Sequence, residues 1–227
     1  MRPYAKWCTV IFVQFGGFRR LIFSIGHSTQ PYAAFRDLIV QHGVTAIADV
    51  RSVPFSRHTP QFNQSPLKAQ LNSDGIAYVY LGDVLGGRPN DQNLTTDGVA
   101  DYAKMANSPS FEKGLDRVVI GSSNYTIALM CSERDPIDCH RCLLVGRALH
   151  VRGLSVFHIL SNGDAQSQVE IEGKLIRLAR QNPAQSDFFA SDQDLLNRAY
   201  ELHARRVAFS EPRESQARAG ERLSMER

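Results

Sequence analysis

Cysteine is scarce in this chain and is not arranged for cross-linking. The 227 residues contain four cysteines, at positions 8, 131, 139 and 142. Three of them crowd around one predicted strand and the helix after it. A disulfide-held secreted domain spreads its cysteines along the chain, so this pattern points to a reducing compartment and a cytoplasmic protein. A membrane-spanning run is also missing. The apolar stretch from Trp7 to Phe18 is too short to cross a bilayer and is interrupted by Gln14 and two glycines. It resembles a weak signal peptide but lacks a small-x-small cleavage site, so residues 1–20 read as an extension ahead of the fold and no membrane partner is expected. Nor does charge of one sign dominate. Lys and Arg total 26 against 23 Asp and Glu, a net +3. That balance permits an anionic partner but falls short of the footprint of a dedicated nucleic-acid binder. No G-x-G-x-x-G follows any candidate strand, which argues against an NAD-dependent oxidoreductase, and no internal repeat is evident.

What is present is an ordinary globular composition, 43% hydrophobic and 22% charged, enough for one sizeable core. From Leu21 onward, short apolar runs alternate with amphipathic segments. Strands are predicted at "RLIFSIG", "VTAIADVR", "IAYVYLG", "YTIALMC" and "LSVFHIL". Helices are predicted at "PYAAFRDLIVQHG", with Pro31 in the first turn and Gly43 as a stop, and at "SPLKAQLNSDG". Further helical patterns cover 97–107, 110–121, 166–182 and 191–206, while 82–96 reads as glycine-rich loop. Asp135 and Pro136 are the expected cap and first turn of a helix that carries His140 and Arg141. This alternation predicts an α/β fold over residues 21–206, a three-layer Rossmann-like or flavodoxin-like, mostly parallel sheet with helices on both faces. Residues 207–227 are polar, rich in Arg and Glu, and read as a disordered tail.

Open parallel sheets bind ligands outside the carboxyl ends of their strands, and here that edge collects the reactive side chains. The first strand delivers His27 and Ser28. The second delivers Asp49 and Arg51, followed by Ser56, Arg57, Phe62 and Asn63. After the third come Gly86, Gly87 and Arg88, and after the fourth Cys131, Glu133, Cys139, His140 and Arg141. The opposite edge receives plain helix-ending turns such as "QHGV" and "SDGI". His27, Asp49, Cys131, Glu133 and His140 are the candidate catalytic groups. The candidate ligand-binding residues are Ser28, Arg51, Ser56, Arg57, Phe62, Asn63, Gly86, Gly87, Arg88, Cys139 and Arg141. A helix start, His140 and Arg141 together press positive potential into one place, which a bound phosphate or carboxylate would balance. Glu133, Asp135 and Asp138 acting together would also balance it.

Each of these residues has an ordinary reading as well. Cys131 is a nucleophile candidate at a strand end or an inert buried cysteine. Asp49 and Arg51, two apart on one strand, form either a plain salt bridge or an acid/base and anion clamp. Phe62 and Asn63 either hold a planar ligand or anchor a loop. His158 in "VFHIL" reads as a core histidine. No cofactor is expected. A zinc site on Cys131, Cys139, His140 and Cys142 is the alternative, weakened because C-x-x-C lacks a second ligand pair.

The segments "SIGHST", "ADVRSVPFSRHTPQFN", "YLGDVLGG" and "LMCSERDPIDCHR", in that order, resemble the domain of unknown function 488 family over about Leu21 to Leu160. The resemblance implies an α/β fold and a polar site on His27, Ser28, Asp49, Arg51, Pro54, Ser56, Phe62, Gly86, Gly87, Cys131, Glu133, Cys139, His140 and Arg141. It supplies no substrate. The expected function is an enzyme of the transferase or hydrolase type acting on a phosphate-bearing ligand, a nucleotide or nucleic acid. The alternative is a non-catalytic binding or regulatory module for the same ligands.

Overall fold

Period-two alternation in the apolar runs sets the layout, because successive side chains of a strand leave opposite faces of its sheet. The computed structural model describes residues 20–180 and 191–210. Five parallel strands form its centre: β1 (Leu21–Gly26), β2 (Ala46–Asp49), β3 (Ala77–Tyr80), β6 (Ile127–Cys131) and β7 (Ser155–Ile159). A sixth strand, β8 (Ala165–Ser167), runs antiparallel to β7 at the edge, and the order is β3-β2-β6-β1-β7-β8. Between β3 and β6 lies a small hairpin, β4 (Thr95–Thr96) and β5 (Val99–Ala100).

Two buried clusters, one on each face, confirm the three-layer α/β arrangement of the Rossmann/flavodoxin-like kind. Phe23, Ile25, Ile47, Ala128 and Met130 face one way and meet Phe35 and Ile39 of α1 (Tyr32–Gln41) and Leu67 and Leu71 of α2 (Gln64–Ser73). Ile22, Ala46, Ala48, Leu129 and Cys131 face the other way. They are covered by Leu85 of α3 (Gly82–Leu85), Met105 of α4 (Tyr102–Ala106) and Phe111, Leu115 and Val118 of α5 (Pro109–Gly121), with Leu149 of α6 (Arg147–Val151). A third cluster joins Cys142 and Leu143 to α7 (Gln168–Arg180) and α8 (Asp192–Val207). The helix stops fall as expected. Gly43 and Gly75 end α1 and α2 with φ of 65° and 74°, a region that penalises any side chain.

Several local expectations change. The stretch 82–96, read as loop, holds α3 and β4, and the helical pattern over 97–107 begins with β5. Edge strand β8 takes the first residues of the helix predicted from 166. Asp135 does not cap a long helix. Its Oδ1 accepts from the N–H of Ile137 to close a single 3-10 turn, Pro136–Asp138. Cys139 is then extended, at φ −137° and ψ 140°, and the chain re-enters helix through a π segment, Arg141–Gly146, ahead of α6. The tail boundary also moves: Val207 ends α8, the Ala100 N–H donates to the Phe209 carbonyl, and Val99 bridges Ser210. Residues 1–19 of the extension expected over 1–20, with Cys8, positions 181–182 of the predicted helix and the tail from 211 lie outside the described residues, whereas the Arg20 carbonyl already accepts from the Ser155 N–H. Among the described residues no helix is long and apolar enough to cross a membrane.

The third cluster is tied to the sheet by a buried polar chain through His158, which has no exposed surface. Its Nε2 bonds Gln168 Oε1 at 2.8 Å, so Nδ1 accepts from the Ser24 hydroxyl at 2.7 Å. Gln168 in turn donates to the Tyr200 hydroxyl, which donates to Glu172. Burial holds His158 down to about 4, so the folded protein keeps it neutral. The unfolded chain takes up its proton near pH 6.5, and stability therefore falls as pH drops from about 6.5 towards 4. Between pH 6.5 and 5 this residue should account for roughly 1–2 kcal/mol of lost stability. Urea denaturation should show that His158→Asn removes this part of the pH dependence. The same variant should cost about 1–3 kcal/mol at pH 7 by stranding its buried partners.

Candidate functional site

The carboxyl ends of β2 and β6 open into a cleft of about 300 Å³. The loop after β2 brings Arg51 to its wall, and Gly87 and Arg88 follow α3. Cys131, Ser132 and Glu133 come from the end of β6, and Asp138, Cys139 and His140 from the turn beyond it. Tyr102 of α4 and Val207 and Phe209 of the C-terminal segment close the far side. Phe209 carries the Arg88 guanidinium over its ring at 4.9 Å.

The cleft's charged wall is built in depth. Asp49 has no exposed surface and grips Arg51 twice, Oδ1 accepting from Nε at 2.9 Å and Oδ2 from Nη2 at 2.6 Å. The Tyr78 hydroxyl donates to the same Oδ2 at 2.8 Å. On the other side Arg51 Nη1 stands 3.2 Å from His27 Nε2. The His27 Nδ1–H donates to the Ser28 carbonyl at 2.8 Å, so Nε2 is the acceptor for Arg51. Burial lowers His27 to about 4, and the Arg51 charge pushes the same way. These contacts use three of the five guanidinium N–H groups and leave two without a partner among the described residues.

Arg141 is the second buried cation, with no exposed surface. Its Nη1 donates to the Glu133 carbonyl at 2.7 Å and its Nη2 to the Arg134 carbonyl at 3.0 Å, while Nε has no partner among the described residues. These bonds fold the segment after β6 back on itself. Gly26 lies beneath the same turn, where an added Cβ would stand 1.8 Å from the Glu133 carbonyl oxygen. The refolded segment sets Cys139 and His140 beside Cys131. His140 Nδ1 lies 3.7 Å from both Cys131 Sγ and Cys139 Sγ, and its Nε2 lies 2.9 Å from the Val50 carbonyl. Gly87 presses on this ring, where a Cβ would come within 2.8 Å of Cγ. Burial alone would raise Cys139, but the Cys131 thiol, Arg141 and His140 together hold it well below the ordinary thiol range. The hydrogen bond to Cys139 and burial raise Cys131.

The predicted site residues therefore separate into groups. Arg51, Gly87, Arg88, Cys131, Glu133, Cys139 and His140 line the cleft together. His27, Asp49 and Arg141 stand behind it as supports. Phe62 is fully buried and stacks on the His27 ring, centroids 4.3 Å apart. Asn63 Oδ1 accepts from the Ser56 N–H, and Ser56 Oγ from the N–H groups of His58 and Thr59, so both anchor a loop. Exposed Arg57 and half-buried Ser28, the latter at φ 47°, do not line the cleft. Gly86 is wedged against Gly82 and Ser52. Cys142 points away, its thiol donating to Gln168 Oε1 at 3.8 Å, and burial pushes it up to about 12. Of the three acids offered as an alternative balance for this charge, Asp135 caps its own 3-10 turn and Asp138 meets His203 at 3.2 Å, and among the described residues Arg141 makes no salt bridge. Tyr102, Val207 and Phe209 carried no sequence signal, because they arrive from elements far along the chain.

Arg141→Lys keeps the charge but cannot reach both carbonyls. It should cost about 1.5–3 kcal/mol in urea denaturation, and a neutral result would remove Arg141 as the clamp of this segment.

No curated protein and no solved structure matches the chain. One family model does, described as "Domain of unknown function DUF488", over residues 31–148. The match contains the Asp49–Arg51 pair, the Gly86–Gly87 loop and the whole Cys131–Arg141 segment, and leaves His27 and Ser28 outside it. With more than half of its 227 residues matched, the chain belongs to the DUF488 family of domains of unknown function.

Proposed function

We propose that this chain is an enzyme of the transferase or hydrolase type that acts on a phosphate-bearing ligand held in the cleft between β2 and β6. The observation that carries this reading is Arg51. A buried guanidinium in the cavity lining is fixed in orientation by Asp49 and His27, yet two of its N–H groups have no partner among the described residues. Such a preset donor pair suits a phosphate oxygen. Exposed Arg88, whose backbone N–H donates to the Ser52 hydroxyl next to Arg51, supplies a second positive charge to the cleft. Glu133, exposed in the same wall, is the carboxylate placed to move a proton. Asp49 and His27 are positioning residues that act through Arg51. A volume of about 300 Å³ lies at the small end of ligand cavities. It suits a nucleotide or a strand terminus better than a length of duplex.

Thermal-shift measurements against nucleotides, sugar phosphates and short 5′-phosphorylated oligonucleotides should find a compound that raises the melting temperature. Arg88→Ala should weaken its binding about tenfold or more, the loss of one charge-assisted contact. Glu133→Gln should abolish turnover and leave affinity in place. A change in affinity alone would favour a non-catalytic binding module. If no phosphate-bearing compound gives a shift, the reading fails.

A further inference from the structure

We infer that Cys131, Cys139 and His140 bind one zinc ion, with its fourth coordination position open to the cleft. The inference stands on the donor geometry and holds whatever ligand the cleft takes. All three side chains are buried, and their donor atoms lie within 4.8 Å of one another. Zinc bonds sulfur at about 2.3 Å and imidazole nitrogen at about 2.0–2.1 Å, so a tetrahedral site holds the two elements about 3.6 Å apart. His140 Nδ1 stands 3.7 Å from each sulfur.

Hydrogen bonding to the imidazole alone does not account for both distances. The Nε2–H is spent on the Val50 carbonyl at 2.9 Å, which leaves a single Nδ1 lone pair facing two thiols at equal distance. One lone pair accepts one proton, whereas a cation between the three atoms satisfies them all. The Val50 contact is itself what a metal-bound histidine makes, its far ring nitrogen donating to a backbone carbonyl that fixes tautomer and orientation. Gly87 keeps the ring in that orientation by direct contact.

The surrounding charge agrees. Among the described residues Arg141 is buried without a carboxylate partner, an arrangement that favours thiolates next to it. All three donors line the cleft, so the open position faces the space where a ligand sits, the pattern of a catalytic rather than a closed structural zinc site. The four-ligand set that the sequence suggested loses one member, because Cys142 is turned toward Gln168.

The test is a titration of the full chain, reduced and stripped with chelator, with Co²⁺ alone. About one Co²⁺ per chain should bind, with a thiolate-to-cobalt charge-transfer band in the near ultraviolet and tetrahedral visible bands, both displaced by Zn²⁺. Cys139→Ser and His140→Ala should each weaken binding at least tenfold, on the order of the loss seen for weaker outer-shell changes. Cys142→Ser should bind as the parent does. Absence of the charge-transfer band in the parent protein overturns the inference, and this readout needs no variant to fold. A Cys142→Ser variant that loses the band as fully as Cys139→Ser also overturns it.

Discussion

The Arg141 guanidinium lies in the interior with no carboxylate against it among the described residues, and the shape of the site follows from how it is satisfied. Its two terminal nitrogens take the carbonyls of Glu133 and Arg134, so the chain leaving β6 must double back within a few residues. A buried charge left without partners is among the most costly features a fold can carry, and this requirement is therefore hard to evade. The return brings Cys139 and His140 against Cys131 and places all three at the floor of the cleft. The 3-10 turn and the π segment on either side of Cys139 are the local departures that this path requires, since a regular helix from Pro136 would carry His140 elsewhere.

Around that floor the fold spends its interior polarity on orientation. Asp49, Tyr78 and His27 reach the cleft only through Arg51, whose rotamer they fix. Phe62 stacks under His27 and belongs to the cluster that covers one face of the sheet. Packing and site geometry are thus coupled on that side. On the other side, the Ser24–His158–Gln168 chain attaches α7 and α8, and α8 leads the C-terminal segment to the rim at Phe209. Close backbone approaches do the remaining work: Gly26 beneath Glu133 and Gly87 against His140 leave no room for a side chain.

Much of the fold was legible because alternation and turn chemistry are local signals. The five parallel strands, α1 and α2 with their glycine stops, and the core role of His158 all fall where the pattern puts them. Edge strand β8 and the β4–β5 hairpin were not visible. Each strand is only two or three residues long, too short to show an alternation of its own. The helix expected from Asp135 was misplaced because its cap and proline signal a helical turn without stating its length.

For the site, the sequence by itself determined which chemistry reaches the carboxyl edge of the sheet. That the strands run parallel follows from the alternation of elements, and the residues after each strand are then at that edge by construction. It could not tell a side chain that faces the cleft from one that holds it in place. Phe62, Asn63 and Ser56 share a stretch with Arg51, yet they turn into the core and the loop. Cys139 and Cys142, three residues apart, end on opposite sides of their helix start. Only the tertiary structure decides these directions. They depend on where buried charges such as Arg141 find acceptors, and those acceptors are backbone carbonyls that every residue type carries alike.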